Sequence, residues 1–350
     1  MATAARSVQI ELPHRRAGHC GSGALRDLLE FHRLSWSDRP LSEGMVFGLG
    51  AGLGFAYVEL PQLDPPIYMV GRGAELERDI CAHLDIALDM RQTDDAAEGW
   101  ELLRAELDAG RPTMIWADIA HLDYLRVKLQ MTMHDIVVCG YDEHEGIALI
   151  ADNDRDEIQR CSLEALAHAR NSHAFPAPNR HATWVMGFPS HLPAAAPTVE
   201  RATTRAVAHM RGETDSALVV AADTLGLAGV DAFARGFEGW PARFGDRLGP
   251  ALRGLRVFIV KAGTGGALFR SLHAGFLADA SELLGDERLA SCARIYDELS
   301  QAWVAVAASA EGEDPHAAHA DCAAHVGRIA ELEHAGVESM ERWLVERGDG

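Results

Sequence analysis

Cys20 is the first residue in the chain whose surroundings favour covalent chemistry. It lies in the stretch Gly18-His-Cys-Gly-Ser22, at the start of a helix predicted over residues 22–32, in which Leu25 and Leu28 share one face. A helix N-terminus carries roughly half a positive charge, which lowers the pKa of a thiol and favours the nucleophilic thiolate. Its unpaired N–H groups also suit an oxyanion. The alternative is a cysteine that packs at a helix start without reacting.

A predicted hairpin supplies a base. Residues 134–141 are mostly apolar and β-branched, residues 142–146 are turn-like, and residues 147–152 form the returning strand. If the turn centres near residue 144, position 136 pairs with 152, so His134 and Asp152 share a face. A carboxylate beside an imidazole orients it and stabilises its cation, as a base for a thiol requires. A register shift of one residue would favour Asp154 instead, and the simplest alternative for His134 is a histidine without a partner.

The elements around these residues divide the chain into two regions. The first half predicts helices over 97–109 and 163–169 and strands over 113–117 and 183–187. A segment rich in proline and alanine follows (188–197), and helical periodicity dominates after it, over residues 200–209, 215–225, 268–284, 289–310 and 317–346. We therefore expect an α+β domain over residues 1–190, a linker over 191–198 and an all-α domain over 199–350.

Composition excludes several classes of protein. The 350 residues contain 32 Lys and Arg against 52 Asp and Glu, a formal net charge of −20. That charge repels phosphate backbones and anionic membranes, so neither is an expected partner, and it disfavours a wholly acidic carrier protein unless a basic patch exists. No apolar run approaches the roughly 20 residues of a membrane span, and residues 1–13 lack the apolar core of a secretory signal, so we expect a cytoplasmic protein. The six cysteines include no CxxC pair and are expected to be reduced thiols.

A first glycine-rich segment, residues 48–54, invites comparison with nucleotide-binding loops. Its glycines alternate with single residues, which is not the spacing of a dinucleotide-binding turn. We expect a flexible loop beside the active-site cleft, with Glu43, Met45 and Gly50 as candidate substrate contacts. A purely structural turn is the alternative.

A second glycine-rich segment, residues 261–266, suits an anion-binding turn at a helix start. Lys261, Thr264 and Arg270 are the corresponding candidates for contact with a substrate or carrier, against the alternative of a tight turn between packed helices. A metal face is suggested by helical spacings further along the chain, at His316, His319, Asp321 and His325. No HExxH motif accompanies them, so polar helix surface is the better interpretation, and we expect neither a metal nor another cofactor.

The order of these motifs resembles the papain-like cysteine peptidase fold and, more closely, the butirosin-biosynthesis acyltransferase family. The matching features are His19-Cys20 with Gly-Ser-Gly-Ala-Leu after it, the segment 41–55, His134 with Val-Val-Cys-Gly-Tyr-Asp142, and Asp152-Asn153. This resemblance covers about residues 13–190. Residues 200–345 are similar to the helical domain of unknown function that follows in that family, through 261–266, Arg270 and Phe276-Leu277.

The resemblance implies transfer of an acyl or aminoacyl group from an acyl-carrier-protein or CoA thioester to an amine of a small molecule, in specialised (antibiotic) metabolism. Cys20 would form the acyl-enzyme, His134 would move the proton and Asp152 would orient His134. Papain-like peptidases usually carry glutamine six residues before the cysteine, where this chain has His14. His14 and His19 are therefore the candidate oxyanion donors, beside backbone N–H groups.

Two other functions stay open at this stage. A cysteine peptidase or amidase would use the same three residues with water as the acceptor. A binding protein would keep the fold without catalysis, although the complete Cys20, His134 and Asp152 set disfavours it. The sequence also leaves the oligomeric state open, a homo-oligomer included.

Overall fold

The structure, a computed structural model, describes residues 6–213 and 224–348. The chain divides into two compact units: Met1–Leu41 with Asp85–Leu192, and Ser42–Leu84 with Pro193–Gly350. The chain crosses from the first unit to the second for the last time between Leu192 and Pro193, which lies within the expected linker at 191–198. Ser42–Leu84, however, belongs with the C-terminal helices, so the units are not the two consecutive stretches that the sequence-based division expected.

The described residues form nine strands and twelve α-helices. The strands are β1 (Ser7–Gln9), β2 (Leu53–Glu59), β3 (Ile67–Arg72), β4 (Ala87–Arg91), β5 (Thr113–Ala117), β6 (His134–Asp142), β7 (Ile147–Ala151), β8 (Gln159–Ser162) and β9 (Thr183–Gly187). The helices are α1 (Cys20–Phe31), α2 (Glu43–Leu49), α3 (Leu76–His83), α4 (Ala96–Asp108), α5 (Leu163–Arg170), α6 (Ala195–Met210), α7 (Gly226–Phe237), α8 (Trp240–Phe244), α9 (Leu248–Val260), α10 (Arg270–Leu284), α11 (Glu287–Ser309) and α12 (Pro315–Gly348).

The first unit is built on an antiparallel sheet in the order β4-β9-β5-β6-β7-β8, with β1 paired to β6. Leu103 of α4 and Leu166 of α5 share a fully buried core with Ile115 and Ile136 of the sheet. Helix α1 packs against β6. This arrangement brings the start of α1 and the start of β6 to one place.

The hairpin of β6 and β7 contains a β-bulge at Cys139. Near the turn Gly140 pairs with Leu149, whereas beyond the bulge Val138 pairs with Ile150. One extra residue in β6 thus changes which face each later side chain occupies. The bulge restores the register in which position 136 opposes 152. A Cβ on Gly140 would clash with the backbone oxygen of Val8 in β1. Glycine at this position therefore allows β1 to approach β6 closely.

The second unit combines the β2–β3 hairpin and helices α2 and α3 with the C-terminal helices α6–α12. Large aromatic side chains fill its core, including Trp240, Trp303 and Phe233, all fully buried. The expected fold class is confirmed: a mixed α+β N-terminal region with an antiparallel sheet precedes a mostly helical C-terminal region.

Four of the predicted C-terminal helices correspond to α6, α10, α11 and α12. The helix predicted over 215–225 falls almost wholly on residues 214–223, which lie outside the described residues. The apolar run 257–260 is the end of α9. Among residues 6–213 and 224–348, no helix combines the length and apolar character needed to traverse a bilayer.

Candidate active site

Helix α1 presents Cys20 as its first residue. His19 caps the helix: its backbone is extended and its Nδ1 accepts a hydrogen bond from the backbone N–H of Ser22 at 3.2 Å. Leu25 is fully buried and anchors the helix in the core. Because an α-helix has no internal acceptor for its first N–H groups, those of Cys20 and Gly21 are available near the sulfur.

His134 and Asp152 are in direct contact. His134 begins β6, Asp152 directly follows β7, and Nε2 of His134 lies 3.1 Å from both carboxylate oxygens of Asp152. Asp154, the alternative partner, has a side chain that is 65% exposed and pairs with Arg155. With the strand register observed between the bulge and His134, the partner of His134 is therefore Asp152 and not Asp154.

The Asp152 carboxylate is fully buried and hydrogen-bonded on both oxygens. The Tyr124 hydroxyl donates to Oδ2 at 2.8 Å, and the backbone N–H of Asp154 donates to Oδ1 at 3.1 Å. These bonds hold the carboxylate, and the carboxylate in turn holds Nε2 of His134. This leaves Nδ1 as the ring nitrogen with which His134 can interact with Cys20, and a hydrogen bond between the two residues contributes to the raised pKa of His134.

The electrostatics favour a thiolate–imidazolium pair. Burial by itself raises the pKa of the Cys20 thiol, but the charge of His19 and hydrogen bonds to His134 and His19 hold that pKa well below 9. Burial disfavours the His134 cation, yet the charge and hydrogen bonding of Asp152 raise the pKa of His134 well above 6.5. For Asp152, burial opposes ionisation, but the charge of His134 and hydrogen bonds from His134 and Tyr124 lower its pKa to about 2.

Cys20 differs in this respect from the other five cysteines of the chain, all of which are buried free thiols. Burial is the main cause of a raised pKa in each of them. The pKa rises to about 12 in four, namely Cys81, Cys139, Cys161 and Cys322, and rises in Cys292 as well. A nucleophilic thiolate at neutral pH is therefore expected at Cys20 alone.

Comparison with protein families identifies both regions of the chain. The family model described as "Butirosin biosynthesis protein H, N-terminal" matches residues 19–153, which include Cys20, His134 and Asp152. A domain of unknown function (DUF4872) matches residues 164–340, that is 177 of the 350 residues. The chain belongs to the DUF4872 family, and its N-terminal region is similar to the N-terminal domain of butirosin biosynthesis protein H. The comparison with curated proteins finds no match.

The structure separates the two oxyanion candidates of this family member. His14 uses both ring nitrogens internally: Nδ1 contacts Asp27 Oδ2 at 2.6 Å, and Nε2 contacts the backbone oxygen of Arg155 at 3.1 Å. Neither nitrogen is left for a substrate. His19 is buried, its Nδ1 accepts from the Ser22 N–H, and a hydrogen bond between His19 and Cys20 is among the causes that lower the thiol pKa. His19 thus stays a candidate oxyanion donor.

The candidate contacts near the first glycine-rich segment lie in the second unit, whereas Cys20, His134 and Asp152 lie in the first. Residues 48–54 are not a flexible loop, because they end α2, turn and begin β2. Glu43 is the first residue of α2, Met45 is buried, and Gly50 caps the helix where a Cβ would clash with Leu76. For Met45 and Gly50, packing explains the residue type.

The second glycine-rich segment is a turn between α9 and α10. Lys261 is exposed at the end of α9, and the Thr264 hydroxyl donates to the backbone oxygen of Ile259 at 2.6 Å. Arg270 is fully buried, with Nε donating to Glu333 at 2.7 Å and Nη1 donating to three backbone oxygens. Burial removes Arg270 from contact with a substrate, which contradicts the expectation from sequence.

No group of three or more His, Cys, Asp or Glu residues in the described ranges is placed to hold a metal ion. His319, one of the four residues at metal-like spacing, donates through Nε2 to the backbone oxygen of Phe237 at 2.7 Å. That contact ties α12 to α7.

Sequence reasoning missed two residues of the site. Tyr124 lies in an irregular segment 28 positions before Asp152, and no local pattern connects the two. Asp135 carries a better signal, because it is a charged residue directly before the apolar run Ile136–Cys139 of β6. Its carboxylate is buried and its Oδ2 lies 3.9 Å from Sγ of Cys20.

Proposed function

We propose that this protein is a cysteine-dependent acyltransferase that moves an acyl or aminoacyl group from a thioester donor to an amine of a small molecule. The observation that carries the proposal is the chain of contacts from Cys20 to His134 to Asp152, which has the form of a nucleophile, a base and an orienting acid. The similarity to butirosin biosynthesis protein H supports a place in antibiotic biosynthesis.

In the first half-reaction the Cys20 thiolate attacks the thioester carbonyl carbon and an S–C bond forms. The N–H groups of Cys20 and Gly21, with Nε2–H of His19, face the developing oxyanion. When the intermediate collapses, the bond to the donor sulfur breaks, and the departing thiolate takes the proton of the His134 imidazolium. The products are the free donor thiol, neutral His134 and an acyl group on Cys20. One thioester replaces another, so the step is nearly isoenergetic and needs no nucleotide.

In the second half-reaction an amine attacks the acyl carbon. The C–N bond forms, one N–H proton passes to His134, and the C–S bond breaks. The Cys20 thiolate and the His134 imidazolium are thereby restored. Asp152 stabilises the imidazolium in both halves of the cycle, and Tyr124 keeps Asp152 in place.

The donor is expected to be an acyl carrier protein or coenzyme A. Carrier proteins that are strongly acidic would meet a chain of net charge −20, so a carrier would need a local basic surface on which to dock. Coenzyme A requires only a small phosphate-binding contact.

Intact-protein mass spectrometry tests the proposal. Wild type, Cys20→Ala and, as a matched control in the same unit, Cys161→Ala are incubated with acyl-CoA and acyl-N-acetylcysteamine thioesters. We expect an added mass equal to the acyl group in wild type and Cys161→Ala, and none in Cys20→Ala. Consumption of the adduct on adding a primary amine, with formation of the amide, identifies transfer.

Other outcomes would contradict the proposal in distinguishable ways. If the adduct forms but decays equally fast with and without amine, the protein is a cysteine hydrolase. If no donor gives an adduct and Cys20 reacts with iodoacetamide no faster than the other cysteines, it is a binding protein that keeps the fold.

A further inference from the structure

His134 lies at an end of the sheet where its backbone is paired on one side. It is the first residue of β6 and pairs with Ala117, the last residue of β5. On the other side of β6, the pairs with β7 run from Asp142 only as far as Val137. Strand ends fray because few hydrogen bonds hold them. The position of the imidazole therefore depends on what holds the chain directly before His134.

Met133 occupies that place in a left-handed backbone conformation, with φ of +58°. This conformation is disfavoured in any residue that carries a Cβ, because the Cβ crowds the following carbonyl oxygen. It persists in a folded protein only where the surroundings impose it. Met133 turns the chain into β6, so a change in its backbone angles would change the direction in which the chain enters His134.

The side chain of Asn179 bridges Met133 and helix α5. Its Oδ1 accepts a hydrogen bond from the backbone N–H of Met133 at 2.8 Å, and its Nδ2 donates to the backbone oxygen of Ala169 at 2.8 Å. One partner is a donor and the other an acceptor, so the orientation of the amide is determined. Asn179 is fully buried, and its own N–H donates to the backbone oxygen of Ser172 at 2.9 Å. The bridge therefore ties Met133 to the core that α5 shares with the sheet.

Neighbouring contacts hold the residue before Met133. The Thr132 hydroxyl donates to the backbone oxygen of Ala177 at 2.6 Å, and the Thr132 N–H donates to the backbone oxygen of Phe175 at 3.0 Å. These bonds fix where the chain arrives at the sheet. The bond from Asn179 differs from them because it acts on Met133, the residue whose conformation directs the chain into β6.

We propose that Asn179 is a positioning residue for His134 and acts through the conformation of Met133. This inference rests on the proposed function, because His134 is the base of that reaction. Asn179 acts through the backbone and not on the reacting atoms. A misplacement of about 1 Å in a catalytic group can slow a reaction about 100-fold, so a bond that holds one backbone conformation has a measurable effect on the chemistry.

The test measures the pH dependence of iodoacetamide alkylation at Cys20 by intact mass, together with unfolding in urea. Burial raises the pKa of the Cys20 thiol, whereas the charge of His19 and the hydrogen bond to His134 lower it. The alkylation profile therefore reports the contact between His134 and the sulfur. In Asn179→Ala we expect the alkylation rate near pH 6 to fall about 10- to 100-fold and the midpoint to rise by about one to two pH units, at tenfold for each unit.

Adding Met133→Gly separates positioning from general stability. Glycine adopts a left-handed backbone without steric cost, so the double variant should regain an alkylation rate within about threefold of wild type. Thr113→Val is the matched structural control, because Thr113 is buried and its hydroxyl donates to the backbone oxygen of Arg111 at 3.0 Å, at the far end of β5. That change should lower the urea midpoint and leave the alkylation profile in place.

Three results would overturn the inference while leaving the proposed function intact. A folded Asn179→Ala whose profile overlaps that of wild type would make Asn179 a structural residue only. A shifted profile that Met133→Gly does not restore would mean that Asn179 does not act through Met133. An equal shift in Thr113→Val would assign the effect to stability. Failure of wild type to form any acyl adduct at Cys20 instead refutes the proposed function.

A second pair of variants covers the case in which Asn179→Ala does not fold. Met133 is only partly buried, so it can be replaced with Asn179 still in place. Valine is β-branched and strongly resists a left-handed backbone, whereas glycine accepts it. The midpoint of the alkylation profile in Met133→Val should therefore lie about one pH unit above that in Met133→Gly. Coincident profiles of the two folded variants would contradict the positioning of His134 through Met133.

Discussion

Replacing Asp152 with asparagine should move the reactivity of Cys20 to higher pH. Burial opposes ionisation of Asp152, but the charge of His134 and the hydrogen bonds of His134 and Tyr124 lower its pKa from 3.8 to about 2. At 1.36 kcal/mol for each pKa unit, the difference is worth roughly 2–3 kcal/mol. Much of it is a mutual interaction, so the same carboxylate stabilises the His134 imidazolium by a comparable amount. Asparagine keeps the shape of Asp152 but not its charge.

The sign of the effect follows from the His134 pKa. That pKa is raised by Asp152, so removing the charge lets His134 lose its proton at lower pH and withdraw its support from the thiolate. The pKa of Cys20 then rises. We expect the midpoint of the alkylation profile to rise by about one to two pH units, and the rate near pH 6 to fall about 10- to 100-fold, at tenfold for each unit.

The assay is the pH dependence of iodoacetamide alkylation at Cys20, read by intact mass and peptide mapping. Asp154→Asn is the matched control, since it makes the same change two residues away on an exposed side chain. Circular dichroism verifies that each variant is folded. Overlapping profiles for wild type and Asp152→Asn would refute the reasoning, as would an equal shift in both variants.

Three further predictions concern the groups that hold the site and the core. Tyr124→Phe removes the hydroxyl that donates to Oδ2 of Asp152, so we expect a loss of about 1–3 kcal/mol in the free energy of unfolding in urea; an unchanged midpoint would mean that water replaces the hydroxyl. Gly140→Ala places a Cβ against the backbone of β1, so we expect the free energy of unfolding to fall by about 1–3 kcal/mol and alkylation of Cys20 to become slower. An unchanged free energy of unfolding would contradict the packing argument. Arg270→Met leaves the buried Glu333 carboxylate without its charged partner, so we expect the free energy of unfolding to fall by about 3–5 kcal/mol. Adding Glu333→Leu should restore most of that loss, and a double variant no more stable than the single one would contradict this account.

Sequence reasoning reached the contact between His134 and Asp152 because both residues belong to one hairpin. A hairpin is a local structure, and period-two alternation decides which side chains share a face. The estimate that the turn centres near residue 144 led to the observed pairing beyond the bulge, although the bulge itself was not foreseen. Near the turn the strand pairing is shifted by one residue from that register, and the bulge at Cys139 accounts for the shift.

Contacts between distant segments were beyond the reach of the sequence. Sequence predicts Arg270 as a substrate contact because it follows a turn suited to an anion, yet its partner Glu333 lies 63 positions later and both side chains are fully buried. The placement of residues 42–84 depends likewise on packing against helices encoded much later. The glycines at positions 44 and 48 can be read from the sequence, but their contact with helix α10 cannot.

The split composition of the second unit has a consequence for synthesis on the ribosome. Helix α2 packs against α10, where a Cβ on Gly48 would overlap the ring of Phe276. At 5–20 residues per second, roughly 10–45 s separate the synthesis of these two positions. The first unit has all of its residues once Leu192 is made, so it can fold while apolar side chains such as Phe47 still lack their final partners. During that interval the nascent segment 42–84 is a natural target for chaperones, and slowing translation between codons 193 and 276 would lengthen its exposure.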